Sequence, residues 1–275
     1  DSSFDNSRYY LKLICYNNKN ESSYDFKEII LDSDFKPGFP KQLATNRYSI
    51  PVIADITGDG KKEIIAITDD TLSVFDHQGN LMPGWPRKLT IPDDTFVLEA
   101  RSHPAIADLD NDGKQEIIIS NSISLYVFHY NGESMKGFPV WLTIPEDAGW
   151  SFAIIEPSPA VGDINGDGNL DIIAGFGYSN TGRLYAYDNE GKLHKNWPVA
   201  GEGLFFASPS LGDIDGDGIN EIINVSRNGK IYAWKGDGSL VDGWPVNLGS
   251  LGPSSPSLLD INSDNKKEIF VYLSD

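Results

Sequence analysis

Sulfur is nearly missing from this chain, with one cysteine (Cys15) and two methionines in 275 residues. A lone cysteine excludes any disulfide within the chain, so the fold has no covalent staple. Histidine is scarce too. His77, His103, His129 and His194 show no spacing that suggests a zinc site, and for His103, beside Pro104, a packed or solvated role is expected over one facing a central channel. Basic residues number 22 against 40 acids, a net charge of -18. That field repels phosphate backbones and anionic lipid, which argues against nucleic acid as a partner. No apolar run approaches the ~20 residues of a membrane-spanning helix, so no membrane insertion is expected. Helical periodicity never outlasts a turn or two, and there is neither a phosphate-binding glycine loop nor a nucleophile elbow.

What the chain has instead is one acidic frame, repeated. Asp213-Ile214-Asp215-Gly216-Asp217-Gly218-Ile219-Asn220-Glu221 is its clearest copy, and the frame recurs from Asp55, Asp108, Asp163 and, in weaker form, Asp260. Calcium takes six to eight oxygens, and alternating Asp or Asn at positions 1, 3 and 5 turns side-chain oxygens into one concavity. Position 6 needs a sharp turn, which Gly60, Gly113, Gly168 and Gly218 allow. A backbone carbonyl at position 7 and a carboxylate at position 9 complete the set. The expected ligands are therefore Asp55, Thr57, Asp59, Lys61 and Glu63 in loop 1, and Asp108, Asp110, Asp112, Lys114 and Glu116 in loop 2. Loop 3 offers Asp163, Asn165, Asp167, Asn169 and Asp171, and loop 4 offers Asp213, Asp215, Asp217, Ile219 and Glu221. Loop 5 offers Asp260, Asn262, Asp264, Lys266 and Glu268. It replaces two glycines by Ser263 and Asn265 and is expected to be the weakest of five calcium sites.

An EF-hand would need an acid at position 12, where this chain has Ala66, Ile119, Ala174, Asn224 and Val271. Magnesium demands stricter octahedral geometry and keeps its waters, so it suits these loops less well. Seventeen of the 40 acids lie in the five loops, and five divalent cations would bring the net charge from -18 to -8. Much of the acidity thus reads as metal ligand.

Other features keep step with the loops. A proline lies four residues before each one, at Pro51, Pro104, Pro159, Pro209 and Pro256, and all but the last loop are preceded by a small residue. After each loop comes an isoleucine-rich run. Then follow aromatic strands such as Leu125–Phe128, Leu184–Tyr187 and Ile231–Trp234. An aromatic-proline step closes each unit, at Phe39-Pro40, Trp85-Pro86, Phe138-Pro139, Trp197-Pro198 and Trp244-Pro245. Four short strands in roughly 50 residues is the pattern of a β-propeller blade. The fold class is all-β, a propeller of four-stranded blades.

The loop motif with its following Ile-Ile resembles the FG-GAP/VCBS repeat, found in the integrin α-subunit head and in many bacterial surface proteins. The resemblance runs from about residue 37 to 275. It implies a calcium-loop propeller acting as an extracellular binding or adhesion module, whose ligand docks on the face opposite the calcium loops. Family members usually have seven blades.

The expected domain organisation is a single propeller over residues 1–275, with 1–25 as an extra N-terminal strand region. Phe26–Leu31 and Pro37–Pro40 read as strands C and D of a blade, and Ile269–Tyr272 ends the chain after strands A and B. Joining the two halves would close five blades without a free edge. The alternative is a fragment of a larger, for example seven-bladed, propeller. The chain opens at Asp1 without an apolar leader and reads as a mature or trimmed piece of a secreted or cell-surface protein, a monomeric domain.

Loops on a rigid scaffold carry binding residues. Arg47, Tyr48, Glu99, Arg101, Trp150, Glu156, Tyr178 and Phe205 are the candidate contacts for a glycan or an extracellular protein, although such aromatics also plug propeller channels. A purely structural role in a larger surface protein is the second reading. A polysaccharide-active, lyase-like domain using Glu99 or Glu156 is the third. No catalytic constellation is identifiable in the sequence, so an enzyme is not expected.

Overall fold

The computed structural model describes residues 9–16, 22–29, 50–68, 70–89, 102–121, 124–142, 157–178, 181–249 and 254–272, with 9–16, 22–29 and 176–178 described by backbone alone. No helix occurs among them. Internal packing divides the chain into two compact units, Asp1–Gln42 with Gln78–Asn80, and Leu43–His77 with Leu81–Asp275. In the first unit, β1 (Tyr9–Tyr16) and β2 (Ser22–Ile29) form an antiparallel hairpin in which Tyr9 lies opposite Ile29 and Tyr16 opposite Ser22. The segment expected as a strand C thus pairs with what had seemed an extra strand. Pro37–Pro40 lies outside the described residues.

The second unit is built of repeats. Blade 1 comprises β3 (Val52–Ala54), β4 (Glu63–Thr68), β5 (Thr71–Phe75) and β6 (Arg87–Lys88). Blade 2 comprises β7 (Ala105–Ala107), β8 (Glu116–Ser120), β9 (Ser124–Phe128) and β10 (Val140–Trp141). Blade 3 comprises β11 (Ala160–Gly162), β12 (Asp171–Tyr178), β13 (Thr181–Tyr187) and β14 (Val199–Glu202). Blade 4 comprises β15 (Ser210–Gly212), β16 (Glu221–Val225), β17 (Lys230–Trp234) and β18 (Val246–Asn247). β19 (Ser257–Leu259) and β20 (Glu268–Phe270) form a two-stranded sheet with the register of strands A and B, and no third strand joins it among the described residues.

Each blade is a meander A-B-C-D of antiparallel neighbours, the form that short turns between short strands permit. The isoleucine runs become strand B because β-branched side chains suit a pleated surface. All five residues of β8 and of β16 are buried, which explains why these runs do not alternate with polar residues.

The cores lie between blades. Ile56, Ile65, Ile67, Leu72, Val74, Trp85 and Leu89 of blade 1 pack on Ile117, Ile119, Tyr126 and Phe128 of blade 2. Leu109, Ile118, Leu125, Val127 and Phe138 then pack on Ile172, Ala174, Tyr185 and Tyr187 of blade 3. Each blade gives aliphatic residues to the next, and the next answers with the aromatics of its strand C. Burying one such Leu or Ile is worth about 1.5–3 kcal/mol.

Strand A is small where neighbouring blades approach. A Cβ on Gly162 would lie 2.9 Å from Leu211 Cδ1, and one on Gly212 would lie 2.9 Å from Leu258 Cδ1. Beside these strands runs a hydrogen-bonded seam between blades. His103 N–H donates to Ser158 Oγ (2.8 Å), Ser158 N–H to Ser208 Oγ (2.9 Å), and Ser208 N–H to Ser255 Oγ (2.9 Å). Each member is the residue just before the repeat's proline.

Candidate metal centres

The five acidic loops join strands A and B, and each is folded by the same three kinds of hydrogen bond. The position-9 carboxylate accepts the position-2 N–H, as in Ile56 to Glu63 (3.0 Å), Leu109 to Glu116 (2.8 Å), Ile164 to Asp171 (3.1 Å), Ile214 to Glu221 (2.9 Å) and Ile261 to Glu268 (2.8 Å). The position-6 N–H reaches back to the first aspartate. Gly60, Gly113, Gly168, Gly218 and Asn265 donate to Asp55, Asp108, Asp163, Asp213 and Asp260. The position-7 N–H of Lys61, Lys114, Asn169, Ile219 and Lys266 donates to the position-5 aspartate, Asp59, Asp112, Asp167, Asp217 and Asp264 respectively.

These bonds need left-handed backbone at position 6, where φ is +84° at Gly60 and +70° at Asn265. Loop 5 therefore keeps the common geometry without glycine, because Asn tolerates that region.

The arrangement collects oxygens and little else. Facing carboxylate oxygens of Asp108, Asp110 and Asp112 lie within 4.8 Å of one another, as do those of Asp213, Asp215 and Glu221. Position 7 is Lys, Asn or Ile, a tolerance expected where only its carbonyl is used. The donor set fits a hard divalent cation. Asp55, Thr57, Asp59 and Glu63, with the Lys61 carbonyl, are the groups loop 1 would use, and the equivalent positions serve in the other four.

Electrostatics point the same way. Glu63, Glu116, Asp171 and Glu221 are buried, and burial pushes each carboxyl above its usual range, partly offset by the N–H it accepts. A buried carboxylate is costly without positive charge beside it.

Cationic or potentially cationic side chains from outside the loops stand against three of them. His129 Nδ1 is 3.0 Å from Glu116 Oε1 and 3.9 Å from Asp110 Oδ2, and the three groups form a further cluster within 4.8 Å. His194 Nε2 is 2.7 Å from Asp171 Oδ1. Lys235 Nζ bonds Asp215 Oδ2 at 2.7 Å and Asp217 Oδ2 at 3.2 Å. Lys235 holds the Asp215 carboxyl below its usual range, and the two carboxylates raise the Lys235 ammonium well above its own. The sequence suggested no such role for either histidine. For His129, as for Lys235, the signal lay in the residue that follows strand C, which borders the loop of its own blade, whereas His194 lies in the C–D connection, seven residues beyond Tyr187.

The aromatic-proline steps seal the loop side between blades. Trp85 Nε1 donates to Tyr130 O (2.9 Å) in blade 2, and Trp197 Nε1 to Gly236 O (2.9 Å) in blade 4. The four described aromatic-proline steps, Trp85-Pro86, Phe138-Pro139, Trp197-Pro198 and Trp244-Pro245, are all cis peptide bonds.

Of the candidate ligand contacts, Phe205 is corrected. It has no exposed surface and packs edge-on against Tyr232 and Trp234, filling the space over Gly182 and Gly201. Its neighbour Phe206 is 45% exposed, with the Arg227 guanidinium 5.6 Å from its ring centre. Tyr178 ends β12 opposite Thr181. Arg47, Tyr48, Glu99, Arg101, Trp150 and Glu156 lie outside the described residues.

Blades of this kind, in this order, define a β-propeller protein, and comparison identifies the type. FG-GAP-like repeats match residues 55–119, 108–174, 163–224 and 213–271, and the chain belongs to that family. The chain is similar in fold to BBS1N in its complex with ARL6DN (11% identity, TM-score 0.54, 83% of this chain and 77% of that one). It is likewise similar to the Dos1 propeller (14% identity, TM-score 0.51, 89% and 53%). A third similar structure is the V. cholerae biofilm matrix protein Bap1, at 24% identity and TM-score 0.48 over 76% of this chain; the chain spans 30% of that protein's length. No curated protein matches the chain.

Proposed function

We propose that this chain is a calcium-stabilised extracellular binding module. The observation that carries the reading is the identical scaffold of all five loops, which holds an oxygen-only donor set while burying one acid in each of the first four. Calcium at each loop would supply two positive charges against three or four carboxyl groups, so binding free energy becomes folding free energy. No helix among the described residues is long and apolar enough to cross a membrane.

The ligand surface is the face opposite the loops, formed by the D–A and B–C connections. Phe206 and Arg227 offer an exposed ring beside a guanidinium there, the pairing that stacks on sugar rings and bonds hydroxyls or carboxylates. Arg47, Tyr48, Glu99, Arg101, Trp150, Glu156 and Tyr178 remain candidate contacts for a glycan or an extracellular protein.

Asp112→Ala tests the metal half. It lowers the melting temperature in calcium and changes it little in chelator; equal destabilisation in both conditions contradicts the assignment. A glycan array and a pull-down from extracellular proteins, run with Phe206→Ala and Arg227→Ala, test the other half. Retention of a ligand that both variants lose supports a binding module. No retained ligand favours a structural domain held by calcium.

A further inference from the structure

Loops 2 and 4 each carry four acids and would rank as equals by sequence. Their surroundings differ. In loop 2, the position-7 side chain Lys114 lies over Tyr130, its Nζ 4.2 Å from the ring centre, and makes no ion pair with the loop's aspartates within 4.0 Å. In loop 4 two lysines turn inward. Lys235, anchored just after β17, bonds the side chains of positions 3 and 5, Asp215 at 2.7 Å and Asp217 at 3.2 Å. Lys266, from position 7 of loop 5, bonds the Asp215 carbonyl at 2.7 Å.

Positions 3 and 5 are the ones whose free oxygens the loop offers to a cation. Asp217 Oδ1 is already taken by the Ile219 N–H and Asp215 Oδ1 by the Asp217 N–H, so Lys235 sits on the remaining oxygen of each. The position after strand C is His129 in blade 2, which faces Glu116 at the loop's inner end. Only in loop 4, among the described residues, does an ammonium bridge two outer aspartates.

We propose that Lys235 is a tethered counter-cation that competes with calcium for loop 4. The inference rests on the calcium reading of the loops. Its consequence is a graded response. Loop 4 stays charge-compensated when calcium is low and fills last among the well-formed loops, when the ammonium swings away on its flexible stem. Removing the amine should tighten calcium at loop 4 by about 1.5- to fivefold, the range of a single charge pair at a protein surface.

The test follows the amides of Gly60, Gly113, Gly168 and Gly218 by two-dimensional NMR during a calcium titration of the whole chain, with Lys235→Gln beside wild type. Each of these amides donates to the first aspartate of its own loop and so reports that loop alone. The expected result is a Gly218 midpoint at higher calcium than Gly113 in wild type. In Lys235→Gln it falls by that factor while Gly113 is unmoved. In EDTA the same variant melts lower than wild type, and Lys235→Arg does not. A Gly218 midpoint unchanged in Lys235→Gln, with the other glycines titrating, overturns the proposal and leaves the calcium reading intact. If none of the four amides responds in wild type, the calcium reading itself fails and takes the proposal with it.

Discussion

Blade 2 and the fifth repeat contain the same loop, yet one is buried and the other open. Leu109, at position 2 of loop 2, is fully buried against blade 3; Ile261, at position 2 of loop 5, is 61% exposed. Ile118 of β8 is fully buried, while its counterpart Phe270 in β20 is 45% exposed. The hydrogen bonds within the two loops are nonetheless the same in kind. Loop geometry is thus local to nine residues, whereas burial is supplied by the following blade. The strand A residue agrees. It is Ala54, Ala107, Gly162 or Gly212 in the first four repeats, and Leu259, 57% exposed, in the fifth. No blade follows there among the described residues, and no leucine needs the space.

The contrast can be broken by mutation. Leu109→Ala should cost about 2–5 kcal/mol through a cavity between blades, while Ile261→Ala should stay within about 0.5 kcal/mol. Urea denaturation measures both, and similar losses would mean that Ile261 is covered after all. Gly84→Ala comes next. Its φ is +85°, and a Cβ would lie 1.9 Å from Asn131 O in blade 2, so the cost should be about 2–4 kcal/mol. Gly243 has the same backbone (φ +88°) but nothing within 4 Å of the added atom, and Gly243→Ala should cost about 1–2 kcal/mol from the backbone alone. Equal values for the two glycines would deny the contact between turns. Ser208→Ala follows. It strips the acceptor from the Ser158 N–H and should lower stability by about 1 kcal/mol. Hydrogen exchange at Ser158 would show the effect locally, as a protected amide that becomes exposed.

Much of this was legible because the repeat writes itself in residues close in sequence. The five loops, strands A to D of blades 1–4 and the small residue before each of the first four loops follow from spacing and side-chain size. Asn265 was readable as a left-handed residue for the same reason. What escaped the sequence depends on partners far along the chain. Lys235 is 18 residues from Asp217, and His129 is 13 from Glu116, with no motif linking them. The serines before the prolines recur in register, but their purpose appears only when successive blades lie side by side. Phe205 and Phe206 are adjacent and equally aromatic. Only the packing over Gly182 and Gly201 decides that the first is core and the second surface. At the N-terminus, the hairpin of β1 with β2 departs from the repeat period, which could not foretell it.

Thermal unfolding of the chain in excess calcium and in EDTA, with bound metal counted by elemental analysis, tests the central claim most directly. The account predicts a large calcium-dependent rise in melting temperature with about four or five ions per chain, since a ligand at 100 times its Kd adds about 2.7 kcal/mol per site. An unchanged melting temperature with no metal bound would contradict it, and the five loops would then be turns held by their own hydrogen bonds.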